Sequence, residues 1–391
     1  MCDAIEHHGV SKRDFLKLCL VGFGGCMVGA GGMSALARTS AMPLGGALGK
    51  DLWKWSKEAP YWVKTARGFQ CKKCPNECEL APGDTGLCRN RVNHEGKLYS
   101  IAYGNPCAVH VDPIEKKPLY HFLPTTKAFS IAAAGCNFRC LNCQNWEISQ
   151  SSPYDTVNDD LMPADVVEQC IRTKCESIAY TYSEPTTFFE YAYDTAKIAR
   201  GKGIKNVWKS NGYIQETPLR DLCKVIDAAN IDLKCFDESI YARLSSGSLA
   251  PILRTLKVLK QEGVWLEITC LIVPEWTDDL GMIKRMCEWL VANGLGDCPV
   301  HFTRFMPLYK LTQLPITPVS TLESAREIAL KAGVHYPYVG NVPGHPAENT
   351  YCHSCGRMIM ERRGFAILEN HIKGGTCEFC GTRIPGVWLI G

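Results

Sequence analysis

What this chain of 391 residues has little of is charge of one sign. Its 43 Lys+Arg against 40 Asp+Glu leave a formal net charge of +3, and no basic run stands out, which removes nucleic acid as an evident partner. Long apolar runs are also missing. The one candidate, Leu18 to Ala37, is broken by glycines and too weakly apolar for a stable membrane span. No Ser-His-Asp or paired-carboxylate arrangement with its expected surroundings is visible, so an acid–base enzyme is a weak reading. A hydrophobic fraction of 46% with 21% charged residues is ordinary for a globular protein, and the length admits one large domain with small modules.

Cysteine, by contrast, is abundant, at 22 residues. Half of these fall into three compact sets, and such clustering argues for metal sites rather than a disulfide framework. The central set lies in GCNFRCLNCQNW (135–146), where Cys136, Cys140 and Cys143 stand at CxxxCxxC spacing. A closed four-cysteine site needs a fourth ligand nearby, and the next cysteine, Cys170, is well beyond the loop. Three cysteines can hold a cubane cluster with one iron left open.

The flanking sets each have four. Cys71, Cys74, Cys78 and Cys88 are separated by turn residues and can close a tetrahedral site, for zinc or for an auxiliary iron–sulfur cluster. Cys352, Cys355, Cys377 and Cys380 form two CxxC knuckles at nearly zinc-ribbon spacing, each followed by glycine (Gly356, Gly381), and zinc is the favoured metal. Cys170, Cys175, Cys223 and Cys287 fall in helical patterns and read as small core residues.

Residues 1–42 read as a twin-arginine-like signal segment, Ser11-Lys12-Arg13-Asp14-Phe15-Leu16-Lys17 carrying lysine in place of the first arginine and Ala35-Leu36-Ala37 suiting signal peptidase. Export and cytoplasmic retention both stay open. Residues 43–69 read as a linker ending in Trp53, Trp55, Tyr61 and Trp62, aromatics expected to pack on the next module. Residues 70–125 form the N-terminal four-cysteine module, 126–342 the core and 343–391 the C-terminal zinc-ribbon-like module.

The core has a strand–helix rhythm. Strand-like runs at 128–134, 177–182, 205–210, 229–234, 264–273 and 299–305, with a further piece at 336–340, alternate with helical patterns, which implies parallel strands with crossover helices. The expected fold class is α/β, a partial (βα)6 TIM-like barrel flanked by two small cysteine-rich metal modules. Such barrels carry chemistry at the C-terminal ends of their strands. Polar residues recur there: the cysteine loop, Ser183-Glu184-Pro185, Ser210-Asn211-Gly212, Asp232 with Lys234, Glu267, and His301 with Arg304. Asp278 reads as a helix cap.

These stretches carry a resemblance. DPIEKKPLYHFLP (112–124), the cysteine loop, YTYSEPT (180–186), SNGY (210–213), IDLK (231–234), LIVPEWTDD (271–279), HFTRF (301–305) and YVGNVPG (338–344) resemble the radical SAM enzymes. The likeness covers residues 71–391 and points to the branch related to pyruvate formate-lyase activating enzyme, most closely the AmmeMemoRadiSam-system enzymes. It implies a [4Fe–4S] cluster on Cys136, Cys140 and Cys143 whose open iron chelates S-adenosyl-L-methionine (SAM), reductively cleaved to a 5′-deoxyadenosyl radical. It implies further that Ser183, Glu184 and Pro185 lie along the SAM amino group, and that Asn211, Asp232, Lys234 and His301 line the pocket. A low-potential donor of flavodoxin or ferredoxin type is expected, and a target that is either a protein, such as a glycine made into a glycyl radical, or one tied to Memo-type and AMMECR-type proteins.

Two departures from the family pattern stand out. Asn142 replaces the usual aromatic before the third cysteine, leaving adenine packing to Phe138 or Trp146. Lys209-Ser210 replaces the acid–threonine pair linked to a monovalent cation. The rival reading is an iron–sulfur electron-transfer or metal-binding module without SAM chemistry, which has no need of Glu184, Asn211, Asp232 or His301.

Overall fold

Strands buried on both faces need near-continuous apolar sequence, and the runs that have it pair side by side. The computed structural model describes Leu52, Lys54 and residues 56–389; the signal-like segment, Trp53 and Trp55 lie outside the described residues. One eight-stranded sheet forms the core: β1 (Ala108–Pro113), β2 (Lys127–Ala132), β3 (Ser177–Tyr180), β4 (Lys205–Ser210), β5 (Ala228–Asp232), β6 (Trp265–Ile272), β7 (Val300–Arg304) and β8 (Pro337–Gly340). The strands neighbour one another in chain order, β2 to β8 all parallel. The order ends at β1 on one side and β8 on the other, so the sheet is open. The seven parallel strands are the six expected units and the further strand-like piece at 336–340. The antiparallel edge strand β1, paired with β2, comes from the segment read as the N-terminal module.

Seven helices of eight residues or more connect the strands: α1 (Pro163–Arg172), α2 (Phe189–Gly201), α3 (Glu216–Cys223), α4 (Glu238–Ser245), α5 (Leu249–Gln261), α6 (Leu280–Ala292) and α7 (Val319–Ala332). Two of them, α4 and α5, share the β5–β6 crossover, where the helical pattern marks only the second. Helix α4 is defined by its ends: Asp237 accepts from the Ile240 amide at 2.9 Å, and Ser246 stops it at φ +58°. The cap of α6 is Asp279, which accepts from the Met282 amide, not Asp278, because the helix begins one residue later than the sequence suggests. Among the described residues no helix is long and apolar enough to cross a membrane.

The stretch after β1 turns under the N-terminal ends of the strands. Asn230 on β5 donates to the Pro118 carbonyl at 2.6 Å, and the amides of Tyr120 and His121 donate to the Glu267 carboxylate at 3.0 and 2.8 Å. Glu267 thus anchors a plug at the base of the barrel. The tail docks on that plug. Arg362 donates to the Tyr120 carbonyl at 3.0 Å, and Val387 exchanges backbone bonds with His121 and Leu123, each at 2.7 Å. The tail itself is a three-stranded antiparallel sheet with a two-stranded one.

Before the core, two small antiparallel sheets hold the first cysteine set. Trp62 packs edge-on against Phe69 with ring centroids 4.5 Å apart, and Tyr61 reaches Phe189 on α2. The linker aromatics that are described therefore pack on neighbouring elements.

Candidate active site

The cysteine loop leaves β2 through Gly135, where φ is +106° and a Cβ would lie 2.4 Å from the Cys88 carbonyl oxygen. Only glycine lets the two chains pass so closely. Beyond it the loop is tied down by backbone bonds to the end of α4, from Arg139 to Ser245 at 3.0 Å and from Leu141 to Leu244 at 2.9 Å. Arg139 also donates to the carbonyls of Cys136 at 3.2 Å and Phe138 at 3.1 Å. The short helix that the sequence pattern hid therefore seats the cysteines.

Cys136, Cys140 and Cys143 are all partly buried thiols. The Phe138 amide donates to Cys136 Sγ at 3.3 Å. Among the described residues only the C-terminal quartet brings three or more ligand atoms within 4.8 Å of one another, so the loop spreads its sulfurs more widely than a single ion needs. Three thiols so spread, with an amide aimed at one of them, fit a multi-iron cluster better than a mononuclear site.

The second and third strand ends converge on this loop. Ser183 donates to the Ala133 carbonyl at 2.6 Å, and Pro185 opens a short 3-10 turn. Glu184, 2% exposed, accepts from the Thr186 amide at 2.9 Å, the Ser210 hydroxyl at 2.7 Å and the Asn211 amide at 2.8 Å. Burial raises its carboxyl above the ordinary value even though these bonds pull it down. Asn211 in turn donates to Asn137 Oδ1 at 2.8 Å, and Asn137 neighbours Cys136. One chain of bonds thus runs from Glu184 through Asn211 to the cysteine loop. Asn137 was legible only as the residue after the first cysteine; its bridging role was not foreseen.

At the end of β5, Asp232 accepts from Lys234 at 3.0 Å and from Lys209. Burial alone would raise the Asp232 carboxyl, but the two ammonium groups hold it down at about 2. Lys209 sets its ammonium against Asp232 and Asn230.

His301 is placed differently. It lies second in β7, 1% exposed, with Nε2 2.7 Å from Glu267 Oε2, stacked on Tyr338 and edge-on to Tyr120. Burial lowers its pKa despite the carboxylate. Among the described residues it has no hydrogen bond to the cysteine loop or to Asp232, because its strand begins only at Val300 and Glu267 holds it toward the base. Phe138 is also withdrawn, fully buried against Tyr213 and Tyr241. Trp146, 42% exposed and stacked on Tyr309, remains at the surface. Asn142 is 8% exposed, and its Oδ1 is buried without a partner, an open acceptor beside Cys143.

The flanking sets sit at opposite ends of the barrel. Cys71, Cys74, Cys78 and Cys88 line one cavity with Asn137, Thr186 and Thr187, at the mouth. Beneath them Glu190 on α2 joins Lys73 at 2.8 Å and Arg91 at 2.7 Å, all three side chains 3% exposed. Burial would raise the Glu190 carboxyl, but Arg91 and Lys73 hold it at about 2. At the base, Cys352 and Cys380 are 3.7 Å apart, Cys355 and Cys377 3.9 Å. Sulfurs about 3.8 Å apart are what a tetrahedral ion with bonds of about 2.3 Å requires. Gly356 and Gly381, at φ +71° and +73°, make the knuckle turns.

Comparison with known proteins bears on this site. The profile of the radical SAM superfamily matches residues 130–288. An uncharacterized protein of Methanocaldococcus jannaschii is 45% identical over 332 residues, covering 84% of this chain and 98% of its own. Pyruvate formate-lyase 1-activating enzyme of Escherichia coli K12 is 24% identical over 182 residues, 45% of this chain and 72% of its own. A putative glycyl-radical enzyme activating enzyme of M. jannaschii is 26% identical, covering 53% of this chain and 76% of its own. A crystallised domain of pyruvate-formate lyase-activating enzyme from Bacteroides vulgatus overlaps 42% of this chain and 99% of its own, at 14% identity and a TM-score of 0.36.

Proposed function

The chain belongs to the radical SAM superfamily, in the branch related to pyruvate formate-lyase activating enzyme, and from that premise we propose that Cys136, Cys140 and Cys143 hold its [4Fe–4S] cluster and that its target is a protein. Membership makes it an enzyme that uses such a cluster and SAM. When bound, the cluster supplies the electron that cleaves SAM to methionine and a 5′-deoxyadenosyl radical.

The protein's own residues do the positioning. The observation that carries the proposal is the chain of bonds from Glu184 through Asn211 and Asn137 to Cys136, which fixes the ends of β3 and β4 against the cysteine loop. Preorganised polar groups of this kind hold a ligand without rearrangement. Ser183, Glu184 and Pro185 border the place of the SAM amino group. Asn211, Asp232 and Lys234 offer polar atoms to the rest of SAM, and Asn142 Oδ1 offers an acceptor. His301 acts from below, steadying Glu267 and the plug, rather than touching SAM.

The finer reading follows the sequence stretches shared with AmmeMemoRadiSam-system enzymes: a target among Memo-type or AMMECR-type proteins, with electrons from a flavodoxin- or ferredoxin-type donor. The test adds purified candidate proteins to the reconstituted, reduced enzyme with SAM and follows 5′-deoxyadenosine by mass spectrometry. The expected result is faster formation with a modified target peptide. If every protein leaves the rate unchanged while a small-molecule extract raises it, the protein-target reading is wrong.

A further inference from the structure

The two four-cysteine sets have the same ligands but different geometry. The C-terminal quartet closes to sulfur–sulfur distances of 3.7 and 3.9 Å, a single-ion spacing. The N-terminal quartet does not. Its ligand atoms fall outside the 4.8 Å grouping that the tail satisfies, as do those of the Cys136 loop. Instead all four residues line one common cavity.

The lining has more to say. Arg91 Nη1 is buried without a hydrogen-bond partner, and Arg91 borders the cavity. A buried donor left unpaired is costly, so such an atom marks a missing acceptor. Thiolates and inorganic sulfides accept hydrogen bonds from N–H and O–H groups, and a cluster presents several of each. The charge agrees. Lys73 and Arg91 face one carboxylate, Glu190, leaving one positive charge in a buried wall, which favours an anionic occupant.

We propose that Cys71, Cys74, Cys78 and Cys88 bind a polynuclear iron–sulfur cluster rather than a zinc ion, with Arg91 donating to its sulfurs. The site adjoins the mouth of the barrel. Asn137 and Thr186–Thr187, which line it, belong to the same segments that seat Cys136 and Glu184, and the Cys88 carbonyl lies against Gly135. The C-terminal quartet, at the base, holds the single ion. The same four-thiolate chemistry thus serves two ends: a cluster beside the mouth and a structural clip beneath it.

The experiment is a metal and sulfide count on the full chain, purified and reconstituted anaerobically, in which Cys136, Cys140 and Cys143 are all changed to alanine. This protein has no SAM cluster, so the outcome is independent of whether SAM is cleaved. The expected composition is about four irons and about four acid-labile sulfides per chain, with one further ion from the tail, and a reducible cluster signal in electron paramagnetic resonance. Two irons with two sulfides also uphold a polynuclear site. Two zinc ions and no sulfide overturn the proposal. A second variant with Cys352→Ser and Cys380→Ser added separates the sites: it loses the single ion and keeps the sulfide. Sulfide lost together with that ion overturns the assignment as well.

Discussion

Glu190 centres a buried ion cluster whose contribution can be tested by one substitution. Its carboxylate, 3% exposed, bridges Lys73 and Arg91 at 2.8 and 2.7 Å, and Lys73 also sits 3.6 Å over the Phe189 ring centroid. The change to test is Glu190→Gln, which keeps the volume but turns an NH2 group toward one of two buried cations. A carboxyl held at about 2 instead of 4.5 represents about 3 kcal/mol of stabilisation at neutral pH. Removing one partner from a buried ion cluster independently costs about 3–5 kcal/mol. At the entropy of unfolding usual for a chain this long, 3 kcal/mol lowers the melting midpoint by about 4 °C.

The sign with pH is fixed. A folded-state carboxyl held below its unfolded value stabilises fully above pH 4.5, and that contribution is lost as pH falls toward about 2. Wild type and Glu190→Gln should therefore be separated by the full gap at pH 7 and converge in acid. The assay is calorimetry of anaerobic protein across that range. A variant within about 1 °C of wild type at pH 7 refutes the argument, since the triad then contributes nothing that the amide cannot replace.

Three further outcomes follow from the same geometry. His301→Gln should lower stability by about 1–3 kcal/mol, since Glu267 loses its partner, yet leave the SAM dissociation constant within about two-fold; a large loss of SAM affinity in anaerobic calorimetry would return His301 to the pocket. Asp232→Asn removes the carboxylate between Lys209 and Lys234 and should weaken SAM binding by about ten-fold, or about 1.4 kcal/mol; unchanged affinity excludes Asp232 from the ligand. Glu184→Ala strands the Thr186 and Asn211 amides and the Ser210 hydroxyl, at a cost of about 2–4 kcal/mol. That loss should be accompanied by weaker iron retention in the Cys136 loop, whereas full retention would mean that the Asn211–Asn137 link does not steady the cysteines.

The core strands were legible because burial on both faces leaves an unbroken apolar run, as in β2 and β3, where nearly every residue is buried. The three cysteine sets were legible from spacing alone. Helix α4 was not, since eight residues show little periodicity and its definition lies in the Asp237 cap and the left-handed Ser246. Strand β1 was hidden because AVHVDP exposes His110 and Val111 and pairs antiparallel at an edge. Which end of a strand a polar residue serves is set by where the strand starts, and spacing alone does not give that for His301 and Glu267. The Lys73–Glu190–Arg91 cluster joins residues about a hundred positions apart, a proximity that no local pattern encodes.

The central claim is that the Cys136, Cys140 and Cys143 loop performs SAM chemistry, and one measurement tests it most directly. Residues 43–391 are reconstituted anaerobically with iron and sulfide, given SAM and dithionite, and assayed for 5′-deoxyadenosine by mass spectrometry. The account predicts that the product forms, and that it disappears when Cys136, Cys140 and Cys143 are changed to alanine while the N-terminal site keeps its metal. Intact SAM in a protein whose clusters assemble and are reduced would contradict it, and would leave an electron-transfer module in its place.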